Sequence, residues 1–203
     1  MRAALRACVA LLLLLTFAAC SRAPQLSPLP PDGVVLAFGD SLTSGAGTAT
    51  DAAYPARLTT LIRRTVVNAG MPGETTTEAL SRLPAVLAEH RPRLVLLCLG
   101  GNDMLQQQPA ARIQANLRLL IQTVRASGAE LVLIGVPEPR LLGGTPDWYA
   151  RLAEEYRLPY EGDILSEVLK DNRLKSDPIH PNAAGYDAIA KRLAQLLKES
   201  GAL

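Results

Sequence analysis

Apolar residues along this chain fall into two alternating patterns. Short runs in which nearly every position is apolar occur at Val34–Phe38, Thr65–Ala69, Arg93–Leu99 and Glu130–Val136, with a weaker one near Leu158–Glu161. Continuous apolarity over about 4–8 residues is what a strand buried on both faces requires. Between these runs the apolar residues recur at every third or fourth position, as on one face of a helix. Ala110–Ser127 is the clearest case, with Ile113, Leu117, Leu120, Ile121 and Val124 on one stripe and Gly128 placed to cap its end. The same spacing predicts helices over Tyr54–Arg64, Thr77–Glu89, Asp147–Tyr156, Ile164–Lys170 and Asn182–Glu199. Pro84 is expected to kink or restart the helix that contains it.

Apolar strands alternating with helices imply a parallel sheet covered on both faces. Right-handed crossovers leave few topologies. The expected fold class is α/β: a three-layer α/β/α sandwich around a flavodoxin-like, doubly wound, five-stranded parallel sheet. In such folds sites form beyond the carboxyl ends of the strands, so chemistry is to be sought in the loops there.

The start of the chain follows neither pattern. Arg2 and Arg6 precede an apolar run from Ala7 to Ala19 that ends in Ala18-Ala19-Cys20. A basic start, an apolar stretch and small residues before a cut site make an export signal. The run is too short for a comfortable transmembrane helix, which needs about 20 apolar residues. Ala18-Ala19-Cys20 resembles a bacterial lipobox, with Phe17 where leucine is usual. That resemblance implies that residues 1–19 are a signal peptide and that Cys20 is lipidated as the mature N-terminus. Residues 20–33, with Pro24, Pro28, Pro30 and Pro31, then read as a semi-rigid tether of about 40 Å. This leaves 34–203 as the folded domain.

Removing residues 1–19 takes away Arg2 and Arg6 and leaves 19 basic against 19 acidic residues. With a net charge of zero, electrostatics would not hold the mature chain to a membrane, whereas a lipid on Cys20 would. Ser21 does not resemble an inner-membrane retention signal. The expected place is therefore the bacterial cell envelope, on the outer membrane and facing the periplasm.

Composition narrows the classes further. At 203 residues, 48% hydrophobic and 20% charged, the chain can bury one ordinary core and is not intrinsically disordered. A net charge of +2 and 4% aromatic residues argue against a nucleic-acid-binding surface. Cys8 leaves with the signal, Cys20 is acylated, and Cys98 lies inside an apolar run, so no disulfide is expected. No His/Cys/Asp cluster has metal-ligand spacing; no metal or other cofactor is expected, and Glu161 and Asp163 read as cap and surface residues. A monomer is the default.

Four loops carry the polar chemistry. They are Gly39-Asp40-Ser41-Leu42-Thr43-Ser44-Gly45, Gly70-Met71-Pro72-Gly73-Glu74, Gly100-Gly101-Asn102-Asp103 and Asp177-Pro178-Ile179-His180-Pro181-Asn182. Three follow strands and the fourth precedes the last helix, so all would converge on one rim. Gly45-Ala46-Gly47 lacks the third glycine of a dinucleotide fingerprint, and no Gly-Lys-Ser/Thr follows a strand. Thr43 takes the place of the second glycine of a nucleophile elbow, which disfavours the common α/β-hydrolase fold.

A serine hydroxyl needs a base within hydrogen-bond reach to act as a nucleophile. His180 is the better of two candidates, because His90, in Glu89-His90-Arg91-Pro92, reads as a solvated residue at a helix end. Asp177 lies three residues before His180, where a tight turn can bring its carboxylate to the imidazole Nδ1–H. Asp40 and Asp103 read as hydrogen-bonding loop residues.

In order and spacing, GDSLTSG, the Gly70 loop, GGND and D-x-x-H resemble the four blocks of the SGNH (GDSL) hydrolase family. The resemblance runs from Val34 to the last helix and is nearest to the family's bacterial thioesterase, lysophospholipase and arylesterase members. It implies a serine esterase or thioesterase acting on aryl esters, fatty acyl thioesters or lysophospholipids through an acyl-enzyme. On that likeness Ser41 is the nucleophile, His180 the base and Asp177 its orienting carboxylate. The backbone N–H groups of Ser41 and Gly70 and the side-chain amide of Asn102 are the implied oxyanion donors.

Related SGNH enzymes remove acetyl groups from sugars, so a carbohydrate O-deacetylase is the alternative. A non-catalytic, lipid-anchored binding protein is a third reading, but it would have no use for Ser41, Asp177 and His180 together. An acyl chain needs an apolar groove, and Met104, Leu105, Leu141 and Leu142 lie in loops that either line one or pack as core or lid. Sugar sites favour aromatic platforms, and the one tryptophan, Trp148, reads as helix packing. The expected partners are a small-molecule acyl ester or lipid substrate and a membrane.

Overall fold

The structure is a computed structural model that describes residues 24–139 and 143–203. Its strands are β1 (Val35–Gly39), β2 (Val66–Gly70), β3 (Leu94–Cys98), β4 (Glu130–Ile134) and β5 (Tyr160–Glu161), all parallel, in the order β2-β1-β3-β4-β5. This is the flavodoxin-like order, in which the chain starts in mid-sheet, steps to one edge and returns past its start to the other. The α-helices are α1 (Ser41–Ser44), α2 (Tyr54–Ile62), α3 (Thr76–His90), α4 (Gly101–Leu105), α5 (Ala110–Ala126), α6 (Trp148–Glu155), α7 (Ile164–Lys170) and α8 (Ala183–Glu199). On one side of the sheet α2 and α7 pack against α8; on the other α5 packs against α3 and α6. The result is the expected three-layer α/β/α sandwich.

The central strands explain the continuous apolar runs. Every residue of β1 and β3 is buried, as are Leu131 to Ile134 of β4, because each has a strand on both sides and helices on both faces. The edge strand β2 departs from that reading: its two valines are half-buried and Asn68 is exposed. The stripe read on α5 is wholly buried at Ile113, Leu117, Leu120, Ile121 and Val124. Each such side chain stabilises the fold by roughly 1.5–3 kcal/mol.

Several local expectations are corrected. Pro84 neither kinks nor restarts α3, which runs on from Thr76 to His90. The proline sits on the exposed side while Ala79, Leu83 and Leu87 carry the buried stripe past it. Ser127 rather than Gly128 caps α5, and Gly128 follows at φ +83°. Glu161 is no surface residue: it is 3% exposed, accepts the N–H groups of Asp163 and Ile164 at the start of α7, and meets Arg192 at 2.6 Å. The short helices α1 and α4 escape the periodic reading because they are too brief to show a stripe.

The largest correction concerns residues 24–33, expected as part of a semi-rigid tether outside the folded domain. Leu26 and Leu29 are buried against the domain, and their N–H groups donate to the carbonyls of Ser200 and Ala202, both at 2.8 Å. The prolines hid this because the partner is the far end of the chain, which no local pattern reveals. Cys98 is buried and unbridged in β3, where burial raises its thiol pKa. The signal peptide, Cys20, Leu141 and Leu142 lie outside the described residues.

Candidate active site

β1 ends at Gly39, and the chain turns at once into α1. Asp40 makes that turn possible: it caps the helix, its Oδ1 accepting the Leu42 N–H at 3.0 Å. Ser41 is thus the first residue of a helix at the carboxyl edge of the sheet. Its own N–H, like all N–H groups in a helix's first turn, has no helical acceptor.

The turn before α8 supplies the second half. Asp177 Oδ1 accepts the N–H groups of Ile179 and His180, both at 2.9 Å, closing a tight turn. Asn182 then caps α8 by accepting from Ala184 and Gly185, while its amide donates to the Arg173 carbonyl at 2.8 Å. Held this way, His180 points Nδ1 at Asp177 Oδ2 at 2.8 Å and Nε2 at Ser41 Oγ at 3.0 Å. Burial alone would raise the Asp177 pKa, but the Ile179 N–H and the His180 ring outweigh it and hold the carboxyl below the ordinary range. An ionised Asp177 keeps the ring proton on Nδ1 and leaves Nε2 free to accept from the Ser41 hydroxyl.

Facing this pair is the Asn102 amide, on α4. Its Nδ2 donates to the Glu74 carbonyl at 3.0 Å and, more loosely, to Asp40 Oδ2 at 3.3 Å. Glu74 is itself clasped by Arg82 through two bonds of 2.5 Å, and the same guanidinium reaches the Ala69 carbonyl at 3.0 Å and stacks 4.1 Å over the Phe38 ring. Asp103 is buried and binds Thr76 through its N–H at 2.8 Å and its hydroxyl at 2.6 Å, tying α4 to α3. Asp40 is 1% exposed, and burial pushes its pKa up to about 7. Glu74 and Arg82 carry no motif signal; they show their role only through these contacts.

Gly70 does not join the rim. Successive N–H groups of a strand point to opposite sides. Met71 donates inward to the Gly39 carbonyl at 2.9 Å, so Gly70 donates outward, where Asn68 Oδ1 accepts it at 3.0 Å. Gly73, three residues on, lines the cavity beside Ser41, Asn102 and His180. Its φ of +82° suits glycine, and among the described residues neither its N–H nor that of Ser41 has an acceptor. The sequence signal was present in Pro72-Gly73, a turn pair that places its glycine at positive φ.

The cavity measures about 680 Å³. Leu42, Leu105, Val136, Leu169 and Ile179 form apolar walls, with Lys170, Lys175 and Glu138 at polar positions. Of the groove candidates, Leu105 lines it, whereas Met104 packs against the core and borders a neighbouring hollow. Trp148 is buried at the start of α6, stacked on Tyr149 at 3.9 Å. His90 is partly exposed beside Glu89, far from the rim at the end of α3. Among the described residues no group of His, Cys, Asp and Glu is arranged to hold a metal ion.

Known proteins resemble this chain in sequence and in fold. The profile of the GDSL-like Lipase/Acylhydrolase family matches residues 37–188. Thioesterase 1/protease 1/lysophospholipase L1 of Escherichia coli is 36% identical over 172 residues, 81% of this chain and 83% of that protein. The arylesterase of Vibrio mimicus is 32% identical, covering 93% of this chain and 98% of its own. The crystal structure of TesA superposes with a TM-score of 0.72 at 30% identity, over 81% of this chain and 98% of that one. With this fold, this rim and these likenesses over most of its length, the chain belongs to the GDSL-like lipase/acylhydrolase family of ester-hydrolysing enzymes.

Proposed function

We propose that the enzyme hydrolyses acyl esters and thioesters through an acyl-enzyme on Ser41, and that Cys20 carries a lipid anchoring it in the cell envelope. The observation that supports the chemistry is the unbroken line from Asp177 Oδ2 through the His180 ring to Ser41 Oγ, at 2.8 and 3.0 Å. Ser41 Oγ attacks the acyl carbon as its proton passes to His180 Nε2. The tetrahedral oxyanion is held by the N–H groups of Ser41 and Gly73 and by the Asn102 amide, which turns its long bond from Asp40 to the oxyanion. His180 returns the proton to the departing alcohol or thiol. Water then repeats the attack on the acyl-enzyme, with His180 again accepting and returning a proton, and the carboxylic acid leaves.

The acyl chain is assigned to the cavity beside Ser41. Its volume of about 680 Å³ falls within the roughly 300–1,000 Å³ of small-molecule pockets. The apolar walls suit a hydrocarbon chain, and Trp148 is not among the residues that line this cavity. The relatives named for thioesterase, lysophospholipase and arylesterase activities agree with that substrate class.

The test is hydrolysis of p-nitrophenyl acetate, butyrate and octanoate, beside the Ser41→Ala variant. Rates that rise with chain length and vanish in the variant are expected. Activity on acetate alone would move the reading to a deacetylase. Equal inertness of both proteins would remove catalysis altogether.

A further inference from the structure

The domain takes in residues 24–33, and that decides which way the active site faces. Four contacts pin this segment. Leu26 and Leu29 donate to the Ser200 and Ala202 carbonyls at 2.8 Å, Ser27 N–H to the Glu130 carboxylate at 3.0 Å, and Arg64 Nη2 reaches the Leu29 carbonyl at 3.3 Å. All of these partners lie at the pole where strands begin: Glu130 opens β4, Arg64 precedes β2, and Ser200 and Ala202 follow the end of α8. Ser41, Asn102 and His180 lie at the other pole, after β1 and β3 and before α8. The 17 residues of α8 run from one pole to the other, a span of about 25 Å at 1.5 Å per residue.

From Cys20 to Pro24 is four residues, a reach of at most about 14 Å. A lipid on Cys20 therefore holds the domain by the pole opposite its active site. To bring the mouth down to that bilayer, residues 24–29 would have to peel away, exposing Leu26 and Leu29 and breaking all four contacts.

Resting on the readings that Cys20 is acylated and Ser41 is the nucleophile, we propose that the anchored enzyme takes its substrates from the aqueous phase. Its substrate class is then dissolved acyl esters and thioesters, and not lipids of the leaflet that holds it.

The test reconstitutes acylated full-length protein in phosphatidylcholine vesicles that hold p-nitrophenyl dodecanoate in the bilayer. Beside it stand the unacylated Cys20→Ser chain, added from solution, and an acylated variant with a flexible Gly/Ser insert before Pro24. An insert of about 30 residues adds roughly 30 Å of reach. Dissolved p-nitrophenyl butyrate should be cleaved alike by all three. On the bilayer ester, acylation should raise the wild-type rate no more than about 3-fold over Cys20→Ser, and the insert should raise it about 10²-fold, since a productive tether supplies millimolar effective concentrations.

A wild-type gain equal to the insert's would overturn the inference and leave the anchor and the nucleophile standing. So would an insert that brings no gain. Failure of the wild-type chain to incorporate labelled palmitate would remove the anchor and the inference with it. Butyrate cleavage persisting in Ser41→Ala would remove the nucleophile.

Discussion

On one side of Ser41 stands a single turn, residues 177–180, in which one carboxylate both closes the backbone and aims the imidazole. On the other side the proposed oxyanion donors come from three loops, after β1, β2 and β3, braced by Asp40, Glu74 and Arg82. The first half is local, and a three-residue spacing is enough to specify it. The second is assembled across the sheet, so the residue that counts depends on which way each N–H points. The same contrast appears in the two carboxylates. Asp177 is 44% exposed and held ionised, whereas Asp40 is buried and held near pH 7.

The largest effect should come from the local half. Ser41→Ala is expected to lower kcat on p-nitrophenyl butyrate by on the order of 10⁶-fold. Asp177→Asn should lower it by about 10⁴-fold by leaving His180 in the wrong tautomer. Steady-state kinetics at pH 8 on both variants, with circular dichroism to check folding, would measure this; an Asp177→Asn enzyme near wild-type rate would break the comparison.

Next comes the assembled half. Asn102→Ala should lower kcat about 10²–10³-fold with KM little changed, because the lost donor acts on the transition state. A change confined to KM would place Asn102 in substrate binding instead.

The two glycines sharpen the contrast. A Cβ on Gly70 would sit 2.1 Å from the Ser44 nitrogen, a backbone atom. Gly70→Ala should therefore destabilise by about 1–3 kcal/mol, read in thermal unfolding. A Cβ on Gly73 meets nothing within 4 Å, but φ is +82°. Gly73→Ala should cost about 1 kcal/mol of stability and lower kcat about 10–10²-fold by shifting its N–H. The reverse pattern would return the donor role to Gly70.

The two carboxylates also differ in pH dependence. The Asp40 pKa is raised from 3.8 to about 7. Between those values the folded state keeps a proton that the unfolded chain has released, so stability falls as pH rises from about 4 to 7 and levels off above. Urea unfolding should show this decline, at most about 4 kcal/mol, in wild type minus Asp40→Asn. A flat difference would mean that Asp40 is ionised throughout.

Much of this was legible because it is local. Strand runs such as Leu94–Cys98 and the stripe on α5 announce themselves by period, since burial of a strand or helix face demands it. Asp177 and His180 are three residues apart, and a turn needs nothing more to join them. Gly70 and Gly73 cannot be told apart in the sequence GMPGE, and only pairing with β1 shows that the N–H of the first faces out to Asn68.

The sequence by itself determined the class of fold, which follows from patterning, and its likeness to a known family singled out Ser41, His180 and Asp177 for the proposed nucleophile, base and carboxylate, the last two joined by a short spacing. Tertiary structure alone decided which glycine of the loop after β2 reaches the cavity, the Arg82–Glu74 brace and the docking of residues 24–33 on the C-terminal end. Those depend on groups far apart in the chain, whose meeting is settled by packing and by the direction of hydrogen bonds across the sheet.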